Sequence, residues 1–177
     1  MIIRKQNRER RRGAATVEMA VVCMLLFMFL FGIFEYCRLL FMLHITQNAA
    51  RDTARFASVH TSGGTMPGDP ATISKADLIN LMKTGQIGTQ TFGSGLSGMD
   101  GNIESLNVEV FYVDPAALAQ NPPVIQEKSG STWDKAAFGE KIAIRVTGNY
   151  KPITPGLLFM SSSIPFKVTV LASSEAN

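Results

Sequence analysis

The apolar run from Ala14 to Phe34 restricts the fold of this chain more than any other feature of its sequence. It holds 21 residues, AATVEMAVVCMLLFMFLFGIF, of which Glu18 alone is charged. As an α-helix the run would be ~31 Å long, enough to cross the ~30 Å hydrocarbon core of a bilayer. A cleaved secretory signal has an apolar core of only ~7–15 residues, and here polar residues from Glu35 onward follow instead of a small-residue cleavage site. The run therefore predicts a retained, single-pass transmembrane helix over residues 14–34.

The basic residues of the chain are concentrated before this run. Six of the 17 Lys and Arg residues and one of the 14 Asp and Glu residues lie in positions 1–13, which leaves 11 positive and 13 negative charges, a net charge of −2, on the rest. By the positive-inside rule, residues 1–13 form a cytoplasmic leader and the chain beyond the helix lies across the membrane. Nucleic-acid binding would need basic residues clustered on a folded face, and no such cluster follows Arg12, so nucleic acid is not an expected partner.

The helical pattern continues past the apolar run as far as a break at Ser62–Gly64. Apolar residues recur at spacings of three, four or seven opposite a more polar side, which predicts a helical stalk over residues 35–60. Glu35 and Arg38 are spaced to form an ion pair, which contributes ~0.2–0.5 kcal/mol when exposed. This pair and Tyr36, a residue type of the interfacial aromatic belt, mark the point where the helix leaves lipid.

The two cysteines, Cys23 and Cys37, lie fourteen residues apart on this predicted helix. That spacing separates them by ~21 Å along the axis, whereas a disulfide needs Cα atoms within about 7 Å. An intrachain disulfide is therefore not expected, and an intermolecular one stays open.

Three segments taken together resemble the TadE-like family of the tight-adherence (Flp-type) pilus system. They are RRGAATVEMAVV with the apolar run behind it, then FGIFEYCRLL, then NAARDTARFA. Matching residues in the two later elements are Phe31, Gly32, Glu35, Tyr36 and Arg38, followed by Ala49, Ala50, Arg51, Ala54 and Arg55. Two positions depart from the family pattern, since Met24 stands near a frequent proline and Cys37 at a frequent glycine. A helix without that proline is expected to be straighter.

The resemblance implies a minor pseudopilin, a structural component of a pilus assembly or secretion system in a bacterial inner membrane, rather than an enzyme. A prepilin peptidase would cut after Gly13, which leaves Ala14 as the new N-terminus and Glu18 as the fifth residue. The implied partners are membrane lipid, that peptidase, other pilins or pseudopilins, and the pilus assembly platform. No cofactor and no metal are implied, and the distal part of the chain would lie in the periplasm or outside the cell.

Two interpretations stay open for each of the residues Gly13 and Glu18. Because glycine is ~1 kcal/mol less favourable than alanine in a helix, Gly13 predicts an extended backbone that a protease can reach. Alternatively, it merely starts a permanent anchor. Glu18 pairs with the Ala14 ammonium of a neighbouring subunit and sets the axial register of packed helices, or it is an interfacial residue that reaches water.

Residues 61–177 predict a small α+β domain. Ser74 is placed to cap a short helix that Gly85 ends. The segment 85–102 is rich in Gly, Ser and Thr, which predicts a mobile loop. Period-two alternation predicts a small antiparallel sheet whose single apolar face is covered by the stalk or the Ser74 helix. The alternating residues are Leu106, Val108, Val110 and Tyr112, then Ile142, Ala143, Ile144 and Val146, then Phe166, Val168 and Val170. Trp133 is expected to dock, partly buried.

The sequence contains no recognisable catalytic or metal-binding constellation. Gly93, Gly95 and Gly98 satisfy G-x-G-x-x-G but lack the strand and helix that a phosphate cradle needs, which favours a loop. His44 and His60 have no cysteine or carboxylate at ligand spacing, and no G-x-S-x-G elbow is present. A structural pseudopilin is preferred over two other classes. A signal-anchored binding or sensor domain would leave the Gly13-to-Glu18 spacing without a role, and a membrane-tethered enzyme would lack visible catalytic residues.

Overall fold

The computed structural model describes residues 6–61, 73–87, 89–93, 95–96, 101–156 and 160–175, with the backbone alone described for residues 6–12. It confirms an α+β chain with a long N-terminal helix followed by antiparallel strands and short helices. In chain order the elements are α1 (Gln6–Val59), α2 (Lys75–Thr84), β1 (Gln86–Ile87), β2 (Gln90–Thr91), β3 (Ile103–Tyr112), α3 (Pro115–Leu118), a 3-10 helix (Trp133–Lys135), β4 (Lys141–Tyr150) and β5 (Ile164–Ser173).

Helix α1 is continuous from the leader through the apolar run into the stalk. Gly13 lies inside it, so the predicted extended backbone at this residue is wrong. The physical reason is that adding a residue to an existing helix is far easier than nucleating one, and strong helix formers flank this glycine on both sides. After Val59 the backbone departs from α-helical geometry at His60 and Thr61. The predicted break at Ser62–Gly64 lies outside the described residues.

The backbone divides into two compact units. The first contains Met1–Leu39 and Pro152–Ser162, and the second contains Leu40–Lys151 and Ser163–Asn177. The second half of α1 thus shares a unit with the sheet, while part of the β4–β5 connection shares a unit with the apolar half of α1. In this first unit Cys23 is partly exposed and Cys37 is exposed, and both are free.

The second unit is built on the sheet β3–β4–β5, in which both neighbouring pairs are antiparallel. The register places Val146 opposite both Val108 and Val168, so the alternating residues predicted from the sequence share one face, with the exception of Ala143, which lies on the other face. This face is buried and confirms the predicted apolar side of the sheet; its members are Val108, Val110, Tyr112, Ile142, Ile144, Val146 and Val168. The pairing of β3 shifts between Glu104 and Asn107, where Ser105 adopts φ 56°.

Both candidate covers for this sheet take part in the second unit. Helix α2 contacts β3 and buries Leu78, Leu81 and Met82. The last turn of α1 is tied to the chain just after β5, because the Glu175 N–H donates to the Ser58 carbonyl oxygen at 2.8 Å. The Thr61 and Ser174 hydroxyls also contact each other in the buried interior. The terminal strand is therefore fastened to the end of the stalk.

The opposite face of the sheet is not wholly polar as the alternation had suggested. Phe111 and Ala143 are buried there with Val113, and Leu118 and Ile125 of the β3–β4 connection pack against them. The connection thus forms a second layer over one end of the sheet. The same connection buries Trp133, which is 5% exposed and contacts β3 through its 3-10 helix, as predicted for a docked tryptophan.

Helix α2 begins and ends where its caps were predicted. The Ser74 hydroxyl accepts from the Asp77 N–H, and the Asp77 carboxylate accepts from the Ser74 N–H, which completes a capping box. Gly85 ends the helix at φ 75°, a left-handed conformation that glycine adopts without a Cβ clash. The segment after it is not simply a loop, because β1 and β2 pair in a short antiparallel ladder. Strands of two residues are too short to show a periodic pattern.

Candidate functional site

The N-terminal sequence motif lies on an exposed stretch of α1. Gly13, Ala14 and Glu18 are all exposed, and open space surrounds the position that a Cβ on Gly13 would take. Ala14 and Glu18 are four residues apart and therefore lie one above the other on the same face of the helix. The Glu18 carboxylate is therefore exposed on the same face of α1 as Ala14, about one helical turn further along.

A continuous apolar surface follows this motif. Apart from the partly exposed Met28, the large hydrophobic residues of this part of α1 are 39–72% exposed, and they are Val17, Met19, Val21, Val22, Met24, Leu25, Leu26, Phe27, Phe29, Leu30, Phe31, Ile33 and Phe34. The helix is long and apolar enough to cross a membrane. Side chains of this kind are normally buried in water-soluble proteins, so a surface this large indicates contact with lipid or with other apolar helices.

At the end of this surface, the first family element builds a polar contact around Glu35. Glu35 is 2% exposed although it lies between the exposed residues Phe34 and Tyr36. The Arg38 guanidinium donates to its carboxylate at 3.2 Å, and the Ile153 N–H donates to both carboxylate oxygens at 3.3 Å. Pro152, next to Ile153, is also buried. The carboxylate thus accepts from a side chain on its own helix and from the backbone of a residue 118 positions away.

This contact corrects the expectation of an exposed Glu35–Arg38 pair. An exposed pair at this spacing contributes only a few tenths of a kcal/mol, whereas a buried carboxylate must be paired and hydrogen-bonded to be tolerated at all. Glu35 meets that requirement through the Arg38 guanidinium and the Ile153 backbone. Its place in the family element is therefore explained by tertiary structure, and no sequence pattern on the helix indicates its distant partner.

The second family element separates its residues onto two sides of α1. Ala49, Ala50 and Ala54 are at most 2% exposed, whereas Arg51 and Arg55 are exposed. The buried side continues through Thr46, Thr53 and Ala57. Small side chains allow a helix to approach its neighbours closely, and the two threonines satisfy their hydroxyls by donating to the carbonyl oxygens four residues earlier. The alanines are thus packing residues, and the arginines form an accessible basic side.

Other motif residues are distributed around the same helix. Phe31 is 39% and Tyr36 61% exposed, and Gly32 is partly exposed. His44 is exposed, whereas His60 is buried and stacks on Phe56 with ring centroids 4.2 Å apart. Within the described part of the chain, no group of three His, Cys, Asp or Glu residues is placed to hold a metal ion.

The glycine motif serves packing at the end of α2. A Cβ on Gly95 would lie 2.2 Å from backbone atoms of Thr84 and Gly85, and one on Gly93 would lie 3.2 Å from Asp52. Gly95 needs glycine because backbone passes close by, whereas at Gly93 a side chain would require the Asp52 side chain to shift by a few tenths of an ångström. Gly98 lies outside the described residues. In the second unit, a groove of about 450 Å³ opens beside the bulge of β3, lined by Ser105, Thr147, Gly148, Asn149, Pro165, Phe166 and Lys167.

A polar cluster that the sequence did not indicate joins β3 to the β3–β4 connection. The Lys128 ammonium donates to the Tyr112 hydroxyl at 3.2 Å and lies 4.6 Å from the centroid of its ring. Burial raises the pKa of Tyr112, and a hydrogen bond to Glu140 raises it further. That bond lowers the pKa of Glu140, as does the Ala137 N–H donating to it at 2.7 Å. The hydrogen bond to Tyr112 also raises the pKa of Lys128.

Arg145 provides a second fastening for the same connection. It donates to the Ile125 carbonyl oxygen at 2.9 Å, pairs with Glu109 at 3.4 Å and lies 4.7 Å from the centroid of the Phe111 ring. Since Arg145 lies on β4, Glu109 and Phe111 on β3, and Ile125 in the connection, one side chain ties all three together. Both polar clusters therefore stabilise the second layer of the sheet.

Comparison with known proteins gives one result. Residues 13–55 match a family model described as TadE-like protein. The matched range begins at Gly13 and ends at Arg55, so it includes the apolar run and both elements on which the predicted resemblance rested, and it confirms that resemblance. No curated protein and no solved structure matches the chain. The family match and the exposed apolar helix together fit a membrane protein associated with a Tad-type pilus.

Proposed function

We propose that this chain, TadE-like over residues 13–55, is a minor pseudopilin: a membrane-anchored structural component of a Flp/Tad-type pilus assembly or secretion system. The observation that carries the proposal is the family match on a helix whose apolar side chains are exposed. Its partners are then membrane lipid, other pilins or pseudopilins, and the assembly platform. The chain acts by packing and has no catalytic role.

The anchor is proposed to cross the inner membrane once. The basic residues before Gly13 favour a cytoplasmic N-terminus, which leaves the sheet-containing unit in the periplasm or outside the cell. The same helix would carry both functions, because its first half offers an apolar surface to lipid or neighbouring helices and its second half packs within the sheet-containing unit.

A prepilin peptidase is proposed to cut between Gly13 and Ala14. Because Gly13 lies in α1, cleavage would require local unwinding of the first turns. Glycine lowers the cost of that unwinding by ~1 kcal/mol relative to alanine, and helix ends open more readily than helix centres. Removal of the basic leader would also remove the charges that hold the N-terminus at the cytoplasmic face.

Replacement of the anchor tests the proposed function. In a strain that lacks the gene, the wild-type chain should restore assembled pili. A chimera in which residues 13–34 are exchanged for an unrelated single-pass anchor of equal length, with the chain from Glu35 onward retained, should reach the membrane but fail to restore them. If the chimera restores pili fully, or if the strain without the gene assembles them normally, the pseudopilin proposal is wrong. A binding or sensor domain needs only to be tethered, so full activity of the chimera would favour that alternative.

A further inference from the structure

The connection between β4 and β5 is hydrogen-bonded to α1 at Glu35 and carries exposed apolar side chains. Ile153 is 64% exposed while its N–H is held by the Glu35 carboxylate. Further along, the Met160 N–H donates to the Pro155 carbonyl oxygen at 3.0 Å, and Met160 is 38% exposed. Both residues belong to the same compact unit as the first half of α1. The contact with Glu35 therefore places the start of this connection at a defined level of the helix.

That level is the end of the lipid-compatible surface of α1. Ile33 and Phe34 are 65% and 59% exposed just before Glu35, and Tyr36 is 61% exposed just after it. Aromatic residues such as tyrosine concentrate where a helix passes from hydrocarbon to headgroups. The Glu35 contact thus holds the exposed isoleucine of the connection at the level where the apolar surface of α1 ends.

The composition of the connection suits an interface between lipid and water. Residues 152–166 contain no charged side chain, and Lys151 and Lys167 flank them. Backbone N–H groups without a partner are costly near hydrocarbon. Pro152 and Pro155 have no N–H, and the N–H groups of Ile153 and Met160 are both hydrogen-bonded. At these four positions the connection therefore exposes no unpaired backbone N–H group to lipid.

We propose that this connection is a second membrane contact of the chain. Ile153 and Met160 enter the headgroup and upper acyl region of the leaflet from which α1 emerges, and the occupant of this surface is lipid. Glu35 acts as the positioning residue, because its carboxylate accepts from the Ile153 N–H and holds the start of the connection at the end of the apolar surface of α1. The inference rests on the proposed transmembrane anchor, and it adds a role for the Glu35 of the family element.

Depth-dependent fluorescence quenching tests this proposal on the full-length chain. The native tryptophan is replaced by Trp133→Phe, and a single tryptophan is introduced by Ile153→Trp, by Met160→Trp or, as the control for the anchor, by Phe34→Trp. Each variant is reconstituted into phosphatidylcholine and phosphatidylglycerol vesicles whose acyl chains carry bromine near the headgroup. We expect quenching at position 34 and also at positions 153 and 160. The second position guards against a local disturbance at the first.

The outcomes separate the two proposals. Quenching at 34 with none at 153 or 160 overturns the lipid contact, leaves the anchor intact and assigns this surface to a protein neighbour. No quenching at 34 overturns the anchor itself. Adding Glu35→Ala to the Ile153→Trp chain should reduce quenching at 153 at least twofold while the Phe34→Trp chain with Glu35→Ala stays quenched. Unchanged quenching at 153 would overturn the positioning role of Glu35.

Discussion

Glu18 is the one charged side chain between Ala14 and Phe34, and it is exposed on α1. Insertion of a charged side chain costs ~2.5–3.5 kcal/mol at the bilayer centre and less near its edge, so a charge kept here is expected to have a partner or a route to water. Cleavage after Gly13 would create an ammonium on Ala14. In a medium of low dielectric constant, that ammonium on one subunit would attract the Glu18 carboxylate of the next.

Replacement of this carboxylate separates insertion from assembly. Glu18→Leu should leave membrane abundance unchanged or raised, because a charge is removed from the anchor. It should lower incorporation into pili more than tenfold, because an ammonium left buried without its partner costs ~3–5 kcal/mol. Membrane abundance and pilus content are measured side by side, with cleavage monitored separately and Val17→Leu as a matched control. Normal assembly of Glu18→Leu would assign Glu18 to the membrane interface.

The Glu35 carboxylate should serve as a structural hydrogen-bond acceptor. Glu35→Ala leaves the Ile153 N–H without its acceptor, a loss of ~1–3 kcal/mol. Hydrogen exchange at the Ile153 amide should therefore become roughly 5- to 150-fold faster. Glu104→Ala is the control, because it removes an ion pair with Lys151, the residue just before Pro152. Both side chains of this pair are more than half exposed, and exposed ion pairs contribute little to stability. Equal acceleration in both variants would contradict the buried contact.

Among the elements, α2 has the most complete local signals, and its capping box makes its stability sensitive to acid. Hydrogen bonds from the Ser74 hydroxyl and then from the Ser74 N–H lower the pKa of Asp77. A carboxyl group whose pKa is lower in the folded state than in the unfolded state stabilises the fold when it is ionised. That stability is fully present above the unfolded pKa, near 3.9, and is lost as pH falls through the folded value.

The loss of unfolding free energy caused by removing the Ser74 cap should therefore depend on pH. Ser74→Ala should cost ~0.5–2 kcal/mol at neutral pH, and its difference from wild type should shrink as pH falls from about 4, the unfolded pKa of Asp77, through the lower pKa that Asp77 has in the folded wild type. Denaturant unfolding followed by the fluorescence of buried Trp133 measures it, with Ser162→Ala as the matched control. Glu140, whose pKa is also lowered, is retained in all variants and cancels from the comparison. A difference that stays constant down to pH 2 would refute this account of Asp77.

The elements that the sequence predicted well are those whose structure is determined by residues close together in the chain. The capping box of α2 lies within four residues, and the β3, β4 and β5 strands follow alternation that each strand carries by itself. The features that were missed depend on distant contacts. Phe111 and Ala143 are buried because the β3–β4 connection folds over them, and Glu35 is buried because a backbone N–H 118 residues away meets it. Neither contact leaves a periodic signal in its own segment.

At the scale of the whole molecule, the uneven distribution of charge predicts a topology. With the basic residues before Gly13 held in the cytoplasm, residues beyond Arg38 should lie outside the inner membrane. Protease added to intact spheroplasts should cut this part of the chain, with a cytoplasmic protein as the control for integrity. Protection of the distal part until the membrane is lysed would reverse the proposed orientation.

The proposal that the chain is processed and then assembled depends most directly on its N-terminus. The decisive measurement is the intact mass of the protein extracted from membranes of cells with an active prepilin-type peptidase and of cells without one. The account predicts a shortened chain that begins at Ala14 in the first and a full-length chain of 19.2 kDa in the second. A Gly13→Arg variant should stay full-length in both. A full-length mass alone in cells with the active peptidase would contradict the account and leave Gly13 as the start of a permanent anchor.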